Sequence, residues 1–131
     1  RHKIEVERLP TRDAVLAVDP GELSAVLFNL IDNAIYWLSR PEVSDRRIVV
    51  RSRLLTNAGR VELRIDDSGP GVPEEDQERI FWPGVTAKPD GIGMGLTVAG
   101  EIISAYGGEL RLVDPGFLGG ATFQFDIPLV K

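Results

Sequence analysis

Residues 19–38 read DPGELSAVLFNLIDNAIYWL. Asp19 is a residue type that caps a helix N-terminus, Pro20 suits the first helical position, and Glu22 follows the cap by three residues. Leu23, Val26, Leu27, Leu30, Ile31, Ala34, Ile35 and Leu38 then recur at alternating steps of three and one. That spacing predicts a helix with one buried face, ending before Pro41.

On the N-terminal side of this helix, residues 3–8 alternate apolar and charged side chains, the pattern of a half-buried strand. Residues 15–18 form a second short apolar run. Residues 48–54 and 61–66 predict two strands joined by a hairpin turn at Asn57-Ala58-Gly59. Residues 74–81 predict a short helix, and residues 83–95, with four glycines and two prolines, a mobile loop. Residues 96–106 predict a second amphipathic helix stopped by Gly107. Residues 109–113 and 121–127 close the chain as strands. The order strand, helix, strands, helix, strands predicts a two-layer α/β sandwich, a mixed sheet with helices on one face.

The 131 residues make one domain, residues 1–131. With 43% apolar residues the chain can fill one core. A net charge of −5 with no basic stripe argues against nucleic-acid binding. The absence of cysteine excludes a disulfide framework, a thiolate metal site and a cysteine nucleophile, and fits a cytoplasmic setting. No run approaches the roughly 20 apolar residues that span a bilayer, so no membrane insertion is expected of these residues. The start at Arg1, without a methionine, suggests a fragment, whose parent could carry membrane segments upstream.

Three stretches carry the chemistry. Asn29 and Asn33 lie one helical turn apart on one face. Their carboxamide oxygens suit Mg²⁺ or a phosphate-bound water, or else satisfy local backbone. Asp67-Ser68-Gly69-Pro70-Gly71 follows a strand. It reads either as an ordinary turn or as an acceptor for an exocyclic amine beside glycines that let backbone approach a flat ring. Gly91-Ile92-Gly93-Met94-Gly95-Leu96 runs into the second helix, where free backbone N–H groups hold phosphate, and Lys88 lies just upstream. Its spacing is neither the dinucleotide fingerprint nor a P-loop.

In this order and spacing, the stretches resemble the ATP-binding domain of sensor histidine kinases. That family shares a superfamily with type II topoisomerase ATPase domains, Hsp90 chaperones and the mismatch-repair protein MutL. The N-box resembles residues 27–34, the G1 box residues 67–71, the F-box residues 80–88 and the G2 box residues 91–96. Residues 107–128 resemble the last strands, so the likeness covers residues 4–129. It implies the Bergerat-type ATP-binding fold, with ATP and Mg²⁺ as cofactors. Asn33 would ligate the Mg²⁺, and Asn29 would support phosphates and metal. Asp67 would accept from the adenine amine in a pocket shaped by Gly69 and Gly71. Lys88, Gly91, Gly93, Gly95 and Leu96 would hold the phosphates beneath a lid at residues 83–91. Thr122 would touch the adenine side, and Trp37 would stack near the nucleotide or pack in the core. Tyr36 and Gly84 stand where such kinases often carry a basic residue and a phenylalanine, which leaves Arg40 or Lys88 as substitute cations.

Hydrolytic members of the superfamily carry glutamate where this chain has Asn29, and asparagine cannot act as a general base. The resemblance therefore implies phosphoryl transfer, which needs mainly positioning and charge neutralisation. The acceptor would be a histidine on a separate dimerisation domain, with a response regulator downstream. His2, the chain's one histidine, stands at the start of the first strand and is read as incidental. The alternatives are a degenerate nucleotide-binding regulatory module, a serine kinase of the anti-sigma-factor type, and a hydrolytic ATPase.

Overall fold

The computed structural model describes residues 5–9 (backbone only), 15–82, 95–113 and 115–130. Its elements run β1 (Glu5–Leu9), α1 (Pro20–Leu38), β2 (Arg47–Leu55), β3 (Arg60–Asp67), α2 (Gly95–Ala105), β4 (Arg111–Val113) and β5 (Thr122–Pro128). The strands form one sheet in the order β1-β2-β3-β5-β4. β1 pairs with β2 in parallel and every other pair is antiparallel, so the sheet is mixed, as expected.

The start of α1 follows its sequence, with one change. Asp19 Oδ2 accepts the Glu22 N–H at 3.0 Å. The return half of the capping box does not form. The Asp19 N–H goes to the Tyr106 hydroxyl at 3.0 Å, and that hydroxyl donates to Glu22 Oε1 at 2.5 Å. Tyr106, just past the end of α2, thus ties the two helices together. At the other end of α1, the buried Arg46 donates to the Arg40 carbonyl at 2.8 Å. It places a cation against the negative pole of the helix.

Val26, Leu30, Ala34 and Leu38 are fully buried, one turn apart along α1. They meet Ala99 and Ile103 of α2, and Ile48, Val61, Ile65, Phe123, Phe125 and Ile127 from the sheet. Burying each large side chain stabilises the fold by roughly 1.5–3 kcal/mol over leaving it exposed. Strand residues alternate in direction, so the opposite sheet face carries Arg51, Arg53, Glu62, Arg64, Asp66 and Asp126. There Arg51 pairs with Asp66, Arg53 and Arg64 with Glu62, and Arg60 with Asp126. Helices on one face and an ion-paired layer on the other make the expected two-layer sandwich.

Two expectations need correction. Residues 74–81 form no continuous helix but two single 3₁₀ turns, Glu74–Asp76 and Arg79–Phe81. Eight residues with few core contacts of their own cannot offset the cost of helix nucleation. The strand expected over residues 109–113 contracts to Arg111–Val113 at the sheet edge, where it has a neighbour on one side only. The β2–β3 hairpin turns through Thr56–Ala58, with Gly59 left-handed at φ +65°. The run at residues 15–18 is an isolated bridge, Leu16 to Leu129.

Candidate functional site

Asn29, Asn33 and Trp37 succeed one another at one-turn intervals on α1, beside the buried stripe, and all three are half-buried. Eight residues of helix rise about 12 Å. At the lower end stands Gly95, the first residue of α2, where an added Cβ would lie 3.9 Å from the Asn29 carboxamide. At the upper end stands Gly69, where an added Cβ would lie 3.7 Å from Trp37 Cβ and 3.6 Å from Leu38. The stripe therefore runs from the N-terminus of α2 to the turn after β3. Leu96 packs partly buried against the core.

Asp67 ends β3 on the helix side and is 3% exposed. Its Oδ1 accepts the Gly69 N–H at 2.9 Å and the Ala121 N–H at 3.3 Å. Among the described residues nothing bonds Oδ2. Burial pushes the carboxyl above its ordinary range, the Gly69 and Ala121 bonds pull it back, and the Asp66 charge pushes it up again. One oxygen is thus fixed by backbone, while the other has no partner among the described residues. Gly71 adopts φ +78°, a conformation that a side chain disfavours, and packs against the Gly120 backbone.

Trp37 meets Tyr36 edge to face, with ring centroids 5.1 Å apart. Arg40 donates to the Tyr36 hydroxyl at 3.0 Å and lies 5.5 Å from its ring centre. The cation proposed as a substitute on the phosphate side is therefore engaged by the residue it was to replace. Lys88, Gly91, Gly93, Gly84 and the residues 83–91 expected as a lid lie outside the described residues. Of the F-box, Phe81 stacks edge to face on Phe123, and its carbonyl accepts the Thr97 hydroxyl of α2 at 2.9 Å.

Thr122 is not brought to this cluster. It pairs in register with Asp66, so its side chain points to the face opposite Asp67. It is fully buried there, donating to Asp66 Oδ1 at 2.6 Å and accepting the Phe117 N–H at 3.0 Å. Its neighbour Ala121 reaches Asp67 instead, through a backbone N–H that no side-chain pattern announces. Gly120 is the other residue missed. A Cβ there would stand 2.6 Å from Asp67 Oδ1 and 2.8 Å from the Gly69 nitrogen. The signal that could have found it is the Gly119-Gly120 pair just ahead of β5.

The family model described as "Histidine kinase-, DNA gyrase B-, and HSP90-like ATPase" matches residues 18–131. The chain is 35% identical over 131 residues to the sensor protein TdiS of Thauera aromatica, covering 98% of this chain and 24% of that protein. It is 36% identical over 118 residues to the adaptive-response sensory kinase SasA of Synechococcus sp. (strain JA-2-3B'a(2-13)), covering 87% of this chain and 30% of that one. It thus spans about a quarter to a third of the length of these relatives. Among solved structures, the catalytic domain of histidine kinase ThkA superposes with a TM-score of 0.77 at 28% identity, covering 95% of this chain and 79% of that one. Full-length ShkA, solved in complex with AMPPNP, gives 0.73 at 28% identity, covering 98% of this chain and 26% of that one.

Proposed function

Because the chain belongs to the histidine kinase-, DNA gyrase B-, and HSP90-like ATPase family, we propose that it binds Mg-ATP along the Asn29–Asn33–Trp37 stripe and donates the γ-phosphoryl group to a histidine of a separate dimerisation domain. The observation that carries this is Asp67. A buried carboxylate with Oδ1 held by two N–H groups and Oδ2 without a partner among the described residues is an acceptor awaiting a donor. An adenine amine supplies one, and the flat face of Gly69 admits the ring. About 6 and 12 Å down the helix from Trp37, Asn33 and Asn29, with the α2 N-terminus at Gly95, suit the phosphates. Lys88, Gly91 and Gly93 are proposed to complete that end.

Mg²⁺ fits the donor set as a shared ligand. Among the described residues no group of three or more His, Cys, Asp or Glu side chains is placed to hold a metal ion. Mg²⁺ commonly takes one or two protein oxygens, with phosphates and waters filling its octahedron. Asn33 would provide such an oxygen. When bound, the ion would neutralise charge developing on the phosphoryl oxygens. Asn29 has no titratable group to take a proton from water, and Asp32 is exposed. The site therefore favours transfer over hydrolysis.

The partners proposed are the histidine-bearing domain of the same kinase and, downstream, a response regulator, in the cytoplasm. Among the described residues no helix is long and apolar enough to cross a membrane. The test is titration calorimetry with ATP and Mg²⁺ on the wild type and Asp67→Asn. In the variant, the amide oxygen is expected to keep the two N–H bonds, turning an NH₂ group toward the adenine amine. Binding should need Mg²⁺ and weaken at least about tenfold in the variant, the worth of a charge-assisted bond. No heat from the wild type at millimolar ATP would favour the degenerate regulatory module. Phosphotransfer to an added histidine-bearing domain, acid-labile in the product, would separate the histidine kinase from a serine kinase.

A further inference from the structure

We propose that Asp66, Arg51, Thr122 and Phe117, on the sheet face away from the nucleotide, form a positioning network that aims the Asp67 carboxylate through the backbone of Gly120 and Ala121. The proposal rests on the ATP-site reading above. Asp66 and Asp67 are consecutive on β3 and so point to opposite faces. Asp66 is completely buried, and a buried carboxylate persists only with well-placed partners. It takes two bonds from Arg51, at 2.7 and 3.1 Å, and one from the Thr122 hydroxyl at 2.6 Å.

The network continues into the segment that touches Asp67. The Thr122 hydroxyl accepts the Phe117 N–H at 3.0 Å, and the Arg51 guanidinium lies 4.1 Å from the Phe117 ring centre. Phe117 is 56% exposed in a glycine-rich loop, yet both its backbone and its ring are held. The Gly119 N–H closes a turn on the Gly116 carbonyl at 3.1 Å. Gly116 and Gly120 meet backbone to backbone, since a Cβ on Gly116 would fall 2.8 Å from the Gly120 carbonyl carbon. Gly120 in turn packs against Asp67 with no room for a side chain, and Ala121 donates to Asp67 Oδ1. Anchoring the loop on one face therefore fixes the N–H that orients the carboxylate on the other.

The consequence is selectivity for the amine. Inosine triphosphate carries a carbonyl oxygen where adenine has its amine, placing an acceptor against Asp67. The wild type should prefer ATP over inosine triphosphate by at least ~10-fold, because a site built for a hydrogen bond rejects the analogue lacking it. The experiment measures both dissociation constants, with Mg²⁺, for the wild type, Thr122→Val, Thr122→Ser and Phe117→Ala. Thr122→Val keeps the shape and removes the hydroxyl. It should cut the preference at least ~5-fold by weakening ATP alone, since the positioned hydrogen bond carries the discrimination. Thr122→Ser should restore the preference. Phe117→Ala, at an exposed side chain, should show a smaller loss in the same direction and keeps the test open if Thr122→Val fails to fold. Equal weakening of both nucleotides, as a purely structural role would give, or an unchanged preference overturns the network while leaving the ATP site standing. A wild type that binds neither nucleotide, or both alike, overturns the ATP-site reading and the network with it.

Discussion

Replacing Gly120 with alanine tests the closest approach in the candidate site. The added Cβ would stand 2.6 Å from Asp67 Oδ1 and 2.8 Å from the Gly69 nitrogen, and closer still to the Asp67 carbonyl oxygen. Two of these three atoms are backbone, so no flexible side chain can move aside. The strands must part by roughly half an ångström, a strain of about 1–3 kcal/mol. The Ala121–Asp67 bond, already 3.3 Å long, then lengthens past hydrogen-bonding range. Its loss adds about 1 kcal/mol. The sum, about 2–4 kcal/mol, corresponds to a Tm lower by roughly 6–16 °C at this chain length. ATP affinity should fall at least about tenfold, because the carboxylate loses the bond that aims it. Thermal unfolding and calorimetry on the same preparation measure both quantities. Gly100→Ala is the control. Gly100 lies within α2 with nothing near its added Cβ, so that variant should gain about 0.5–1 kcal/mol. Wild-type Tm and ATP affinity in Gly120→Ala would refute the packing of Gly120 on Asp67.

Two further outcomes are expected. Asp67 has a raised pKa in the folded state, above the 3.8 of an ordinary aspartate. The folded protein therefore holds this proton more tightly than the unfolded chain. The stability it contributes is fully present below pH 3.8 and is lost as pH rises through the raised folded value. ATP binding has the opposite sign, since the deprotonated carboxylate accepts the amine. The Tm difference between wild type and Asp67→Asn, followed against pH beside the ATP affinity, should show the two curves crossing the same window in opposite directions. Curves that move together would sink the assignment. Separately, Asp19→Ala removes the side-chain cap of α1. It should cost about 1 kcal/mol in denaturant unfolding, with ATP affinity unchanged.

Much of this was readable because it is local. The span of α1 follows from an aspartate cap, a proline and an apolar spacing that one helix enforces on itself. Residues 48–54, 61–66 and 121–127 read as strands from their own composition and bounding turns, before their partners were known. Asn29 and Asn33 share a face wherever the helix is placed, and Asp67-Ser68-Gly69-Pro70-Gly71 is marked by its own composition. The half-formed capping box was not readable. Glu22 turned to Tyr106, a residue 84 positions away that no local rule brings near. Nor were the two 3₁₀ turns of residues 74–81 legible, because composition alone does not reveal what a segment packs against.

Periodicity, caps and turn chemistry act within a few residues, so the two α-helices, the longer strands, the two-layer class and the residue types of the candidate site were legible locally. The tertiary fold set the strand order β1-β2-β3-β5-β4, which depends on partners far apart in the chain. It also decided the faces of neighbouring residues. Asp67 came to the helix side with Ala121 and Gly120 upon it, while Thr122 turned away to Asp66. The reason is register. A side chain's face is set by which residue lies opposite it across the ladder, and a slip of one position would exchange the two.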